Sequence, residues 1–268
     1  MQCSTPPVIV LMTDFGMTDT FIGQMKGVIL SIVPDARIID LTHAIAPQHV
    51  VQAAFMLGKS VPFLPESSIV VSVVDPGVGT SRNVIALQTD KHTFLAPDNG
   101  LLTPLLQSAT IQHCMTITNE RYMLSTRSST FHGRDIFSPV AAHLAAGVPL
   151  HELGNLIEPS TCARIAMPCS TTSDNGQSWE GSIIYTDHFG NLVTSLEADL
   201  LDRSAAWMVS AAGCQPLPLS ATYGDVADQQ PLAYAGSSGT IEIAVCNGNA
   251  AQALGLRDGD MVRVRREC

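Results

Sequence analysis

The chain is predicted to fold as an N-terminal α/β domain on a mainly parallel sheet, residues 1–165, followed by an all-β domain, residues 166–268. Three observations predict this. Over the first 150 residues, short β-rich runs alternate with helical stretches, as in βαβ units. From Glu158 to Gln177 the sequence turns polar, with Pro159, Pro168 and the run STTSDNGQS, which is the composition of a domain boundary. Beyond it, short strands are punctuated by Gly, Asp and Asn turns, as in a small barrel or sandwich.

In chain order, PVIVLMTDFG is an apolar strand that ends in a polar loop. GQMKGVILSIVP sets Met25, Val28, Ile29, Ile32 and Val33 at helical spacing, and Pro34 ends the helix. RIIDLTH reads as a second strand, and His49 to Lys59 as an apolar helix. SSIVVSVVDPGVG is a continuous buried strand closing in a Gly/Pro turn. NVIALQT and KHTFLAPDNG form a hairpin or two adjacent strands, and RDIFSPVAAHLAAG an amphipathic helix. The later strands lie in WEGSIIYTDHFGNLVTSL, AAWMVS and LAYAGSSGTIEIAV, with helix expected only around Asn249 to Leu254.

The formal net charge of −10 has the wrong sign for a phosphate backbone and argues against a nucleic-acid partner. With 46% hydrophobic and 14% charged residues the 268-residue chain is not intrinsically disordered. Its longest apolar runs, such as Val8 to Met12, fall far short of the roughly 20 residues of a membrane span, so no membrane is expected. The opening MQCSTPP lacks the regions of a signal peptide. Cys3, Cys114, Cys162, Cys169, Cys214, Cys246 and Cys268 contain no CxxC pair and read as reduced thiols. A cytoplasmic location is expected.

TDFG, DLTH, VDPGVG and APDNG each follow a strand, at the carboxyl end where open α/β sheets hold ligands. No GxxxxGK[ST] is present, and Arg82 stands where GxGxxG would need its third glycine, so neither phosphate-binding loop is expected. Asp14 can accept hydrogen bonds from vicinal ribose hydroxyls or cap a turn. Asp75, its turn shaped by Pro76 and Gly77, is within reach of Arg82, as a structural pair or as part of a cleft. His132 in TFHGRD precedes a helix, where its ring either faces a cleft or caps and packs. Asp40 and His43, with Asp14, Asp75 or His132, would suit a metallohydrolase, but no tight ligand motif is present and no metal is expected.

In YTDHFGN, Asp187, Phe189 and Asn191 alternate, so on an extended segment they share one face and suit a nucleoside; the other reading is a β-bulge or turn containing Gly190 with a core Phe. YAGSSGTIEIAV offers Ser237, Ser238 and Glu242, where the carboxylate either holds an ammonium or is an ordinary solvated strand residue.

In order, TDFG, GQMKG, DLTH, VDPGVG with its following Arg, APDNG, FHGRDIFSPVAA, DHFGN and SSGxxEIAV resemble the S-adenosyl-L-methionine hydroxide adenosyltransferases from Thr13 to Val245. These are adenosine-forming S-adenosylmethionine hydrolases, related to the fluorinase and chlorinase. The resemblance implies a Rossmann-like N-terminal domain, a C-terminal β-barrel, and a homotrimer with sites at subunit interfaces. It implies a small-molecule substrate and no cofactor. Asp75, Arg82 and His132 match the trio that positions and activates water, which favours water over halide. Asp14 matches a ribose contact. Asp187, Phe189, Asn191, Ser237 or Ser238, Glu242 and the Val245 main chain match adenine and methionine contacts. Ser195 departs from the pattern, standing in VTSL where the family commonly has VTN.

The implied reaction is SN2 attack of water at the ribose C5′, giving adenosine and L-methionine. The alternatives are a binding protein with vestigial activity, an adenosyl-halide synthase and the metallohydrolase. The sulfonium makes methionine a neutral leaving group that needs no acid. The demand falls on orienting and desolvating a weak nucleophile.

Overall fold

The structure, a computed structural model, describes residues 7–202 and 204–267 and divides into two compact units, Met1–Met167 and Pro168–Cys268. The first unit runs β1 (Ile9–Thr13), α1 (Phe21–Ile32), β2 (Ile38–Thr42), α2 (Val50–Ser60), β3 (Ile69–Val73), β4 (Val84–Thr89), β5 (Thr93–Pro97), α3 (Thr103–Ser108), β6 (Ile111–Ile117), α4 (Ser138–Ala145) and β7 (Gly154–Leu156). The strands form one sheet in the order β2-β1-β3-β5-β4-β6-β7. Neighbours from β2 to β5 are parallel, whereas β4, β6 and β7 join antiparallel, β4 and β5 as a hairpin.

β1 and β3 are buried along their whole length, so successive residues alternate between two cores. Ile9, Leu11 and Val71 pack with Met25, Ile29 and Val140 on one face. Val10, Met12 and Val70 pack with Ala53, Leu57 and Leu105 on the other. Helices on both faces explain why these strands are buried throughout and apolar except at Thr13 and Ser72.

The segment RDIFSPVAAHLAAG differs from expectation. Gly133–Phe137 is a π-helical turn, and α4 buries Ser138, Pro139, Val140, Ala141 and Ala142, so it is enclosed rather than amphipathic. Its small residues let it pack against α1, β1 and β3 together. Ser138 donates both its N–H and its hydroxyl to the Gly133 carbonyl, which seats Pro139 in the first turn where no N–H is needed. The short elements α3, β6 and β7 have too little periodicity to be read from sequence.

The second unit runs β8 (Thr171–Ser173), β9 (Ser178–Thr186), β10 (Leu192–Glu197), β11 (Trp207–Ala211), β12 (Leu217–Ser220), β13 (Pro231–Ala235), β14 (Thr240–Val245), α5 (Ala250–Leu254) and β15 (Met261–Arg266). Seven strands close into a barrel in the order β10-β14-β13-β12-β11-β15-β9, the β9–β10 pairing completing the ring and β8 flanking β9. Closure, rather than a two-sheet sandwich, removes exposed edges. Ile183, Leu192, Trp207, Val209, Ile241 and Val264 fill the interior. The divergent Ser195 is buried, and its Oγ accepts from the Ser182 N–H at 3.0 Å across the β9–β10 pair.

Among the described residues no helix is long and apolar enough to cross a membrane. The five described cysteines are free thiols; Cys3 and Cys268 lie outside the described residues. Folding brings Cys114 and Cys162 to 3.5 Å, and burial pushes the Cys114 thiol up to about 12.

Candidate active site

β1 and β3 are parallel neighbours with Thr13 opposite Val73, so the loops leaving their carboxyl ends start side by side. Asp14 follows one strand and Asp75 lies just beyond the other. With Phe15, Phe21, Gln48 and His132 they line a cavity of about 310 Å³. The VDPGVG loop turns at Gly79, with φ +79°. A Cβ there would lie 2.5 Å from the Ser129 carbonyl oxygen, so only glycine allows this loop so close to the segment that carries His132.

Arg82 joins the two. Its Nε donates to Asp75 Oδ1 and Oδ2 at 3.1 and 2.9 Å. Its Nη2 donates to Asp75 Oδ2 and, at 2.7 Å, to His132 Nδ1. The Arg82 and Asp75 side chains are only 9% and 4% exposed, so solvent screens this pair little. Arginine has no acceptor, so His132 Nδ1 is unprotonated and the neutral ring carries its proton on Nε2. Burial, reinforced by the Arg82 charge, holds the His132 pKa below the usual 6.5.

Asp14 Oδ2 accepts from the Gln48 N–H at 2.7 Å. Gln48 adopts φ 65°, a left-handed conformation that costs a non-glycine residue roughly 1 kcal/mol or more. Sequence reading misses this residue, because its role lies in its backbone. It also misses the edge-to-face cluster of Phe15, Phe21 and Phe131, with centroids 5.2 to 6.0 Å apart, of which Phe15 and Phe21 line the cavity.

Asp40 and His43 do not join this group. Asp40 accepts from Lys26 at 2.6 Å and meets His43 Nε2 at 3.1 Å, while His43 Nδ1 meets Thr13 Oγ1 at 2.8 Å. Among the described residues no group of three His, Cys, Asp or Glu side chains is arranged to hold a metal ion.

In the second unit, residues 187–191 form the tight β9–β10 turn, not an extended segment. Asp187 Oδ1 accepts from the Phe189 and Asn191 N–H groups, both at 2.8 Å, and Oδ2 accepts from Asn191 Nδ2 at 3.0 Å. One carboxylate gathering three donors curls the chain, and Gly190 at φ +88° passes where a Cβ would strike Asn249. Phe189 is no core residue, being 75% exposed. It nevertheless converges with Asn191, Tyr223, Val245 and residues 246–248 on a pocket of about 540 Å³.

Glu242 is only 7% exposed, and thus not a solvated strand residue. Its carboxylate accepts from the Tyr234 hydroxyl and, at 3.5 Å, from Ser238 Oγ. Burial raises its pKa above 4.5, the Tyr234 bond opposing and the Asp187 charge adding. Of the serine pair, Ser238 reaches Glu242 and also meets Thr240 Oγ1 at 3.1 Å, whereas Ser237 is exposed. Tyr223 and Tyr234 carry no motif-like signal; only folding reveals that they join Asn191 to Glu242.

Residues 9–154 match the SAM hydroxide adenosyltransferase N-terminal domain, and residues 181–263 the C-terminal domain of the same name. A protein from Salinispora tropica named (R)-S-adenosyl-L-methionine hydrolase is 38% identical over 96% of this chain and 97% of that protein. A protein from Actinopolyspora mzabensis named fluorinase is 27% identical over 97% of each chain. The crystal structure of an uncharacterized conserved protein from Thermotoga maritima aligns with a TM-score of 0.88 at 34% identity, covering 97% of this chain and 100% of that one. With both domain matches in register and a full-length relative at this identity, the chain belongs to the SAM hydroxide adenosyltransferase family.

Proposed function

We propose that the protein hydrolyses S-adenosyl-L-methionine to adenosine and L-methionine. The observation that carries this is the Asp75–Arg82–His132 group, of which Asp75 and His132 line one cavity with Asp14, in a chain of this family. Water forms its bond to the ribose C5′ as the C5′–S bond breaks. The bonding pair leaves with sulfur as neutral methionine, and one water proton is released.

Asp75 takes that proton. His132 Nδ1 is occupied by Arg82 and its Nε2 already carries a proton, so the neutral ring is a donor that can orient water. Arg82 holds the carboxylate and the ring in fixed relation, supplying positive charge where hydroxide character develops. Asp14 accepts from the ribose hydroxyls. In the second unit, Phe189 offers a ring to the base and Asn191 its amide, and the Val245 main chain flanks the same pocket. Asp187, Ser237, Ser238 and Glu242 complete the recognition of adenine and methionine.

No cofactor is needed, because a sulfonium already supplies the leaving group. The resemblance extends the proposal to a homotrimer with sites at subunit interfaces and to a cytoplasmic location; sedimentation equilibrium and cell fractionation test these.

The deciding experiment incubates the protein with S-adenosylmethionine, with and without chloride, and separates the nucleosides. Adenosine in both reactions is expected. A 5′-chloro nucleoside would make the protein a halide transferase, tight binding without turnover a binding protein, and activity lost in EDTA a metallohydrolase.

A further inference from the structure

The direction of a chain of hydrogen bonds in the second unit fixes which atom of Asn191 a ligand can meet. Glu242 accepts from the Tyr234 hydroxyl. Tyr234 has a single hydroxyl proton, so toward Tyr223 its oxygen only accepts, and the Tyr223 hydroxyl donates to it at 2.6 Å. That commits the Tyr223 proton, and the Tyr223 oxygen accepts from Asn191 Nδ2 at 3.0 Å. The second Nδ2 proton goes to Asp187 Oδ2, also at 3.0 Å. A flipped amide would set Oδ1 against a carboxylate on one side and against an oxygen with no free proton on the other. Two carboxylates therefore dictate the amide orientation from opposite ends, and Oδ1 is left without a hydrogen-bond partner among the described residues.

We propose that Tyr223 is a specificity-determining positioning residue. By holding Asn191 Nδ2 it presents Oδ1, a pure acceptor, to the base in the pocket that Phe189, Asn191 and Tyr223 line. The pocket then takes a purine with a 6-amino donor and rejects the 6-oxo counterpart, whose carbonyl would face another acceptor. The proposal rests on reading this pocket as a nucleoside site. Tyr223 is itself held in place: Asp225 Oδ2 accepts from the Ala221 and Thr222 N–H groups at 2.8 and 3.0 Å, and the Tyr223 and Tyr234 rings pack with centroids 4.9 Å apart.

The test measures calorimetric binding of adenosine and of inosine to the full chain and to its Tyr223→Phe and Tyr234→Phe variants. Turnover of S-adenosylmethionine and of its 6-oxo analogue is measured in parallel. Adenosine should bind at least about 10-fold more tightly than inosine, because an acceptor facing an acceptor leaves buried polar groups unpaired. Tyr223→Phe should collapse that ratio to about threefold or less, mainly by weakening adenosine. Tyr234→Phe frees the Tyr223 proton to turn toward the amide and should give an intermediate ratio; it also serves if the first variant fails to fold.

A merely structural tyrosine would weaken both nucleosides alike. An unchanged ratio in the folded variants, inosine bound as tightly as adenosine, or no binding of either overturns the proposal. A Tyr223-dependent preference for adenosine without turnover keeps this proposal and removes the hydrolase reading. Equal turnover of the 6-amino and 6-oxo substrates does the reverse.

Discussion

In the cavity of the first unit the carboxylate of Asp75 meets a permanent cation, whereas in the pocket of the second Asp187 meets only neutral N–H groups and Glu242 a tyrosine hydroxyl. Arg82 cannot lose its charge or accept a bond, so it dictates the proton positions of whatever touches it, His132 included. The second unit reaches the same end without a cation, through hydroxyls and an amide whose protons point one way because carboxylates stand at both ends. A charge-paired group is suited to a reaction in which charge moves. A neutral chain of directed bonds is suited to telling one ligand edge from another.

The comparison predicts that damage to the first group falls on turnover and damage to the second on binding. The largest effect is expected for Asp75→Asn, which should lower kcat by about 10² to 10⁴-fold with far less change in KM, the range for losing a general base. Steady-state kinetics with circular dichroism as a folding control measure it; equal changes in binding and turnover would move Asp75 to recognition. Next comes Phe189→Ala, an exposed ring whose loss removes base stacking worth about 1 to 3 kcal/mol. KM should rise by roughly 5- to 150-fold with kcat nearly intact. A fall in kcat alone would erase the contrast between the units.

The smallest effect concerns pH. Because burial and Arg82 depress the His132 pKa, the ring stays neutral down to the ordinary value of 6.5 and protonates only below it. Protonation would turn Nδ1–H against Arg82, so kcat/KM should hold level from pH 8 and decline only below about 6.5. Stability follows the same sign. The unfolded chain binds this proton first, so the contribution is intact above 6.5 and lost as pH falls toward the folded value. A kcat/KM that rose as pH fell below 6.5 would instead show His132 working as a cation.

Asp14 and Asp75 could be found without coordinates, since a carboxylate just past a buried, mainly apolar strand lies at the ligand-binding end of a parallel sheet. The pairing of Asp75 with Arg82 was within reach, seven residues apart on one loop. The third partner came only with the family resemblance and not from spacing, because His132 lies 50 residues from Arg82 in sequence and packing brings them to 2.7 Å. The turn at residues 187–191 shows the opposite failure. Alternating residues suggested a strand, but period two carries no information about a carboxylate that gathers nearby N–H groups. Gln48 escaped because its contribution is a left-handed backbone, and Tyr223 because its partners lie on strands and turns far along the chain.

Chain-local chemistry was thus enough to class each unit and to set the acidic residues at strand ends. Apolar runs, alternation and Gly or Pro turns act over a few residues and are written in neighbouring side chains. Folding alone settles who donates to whom. The tautomer of His132 depends on Arg82 and the orientation of Asn191 on Asp187, Tyr223 and, two bonds further on, Glu242. A hydrogen bond's direction is a property of at least two groups at about 3 Å, and segments distant in sequence acquire it only when the chain has closed around them.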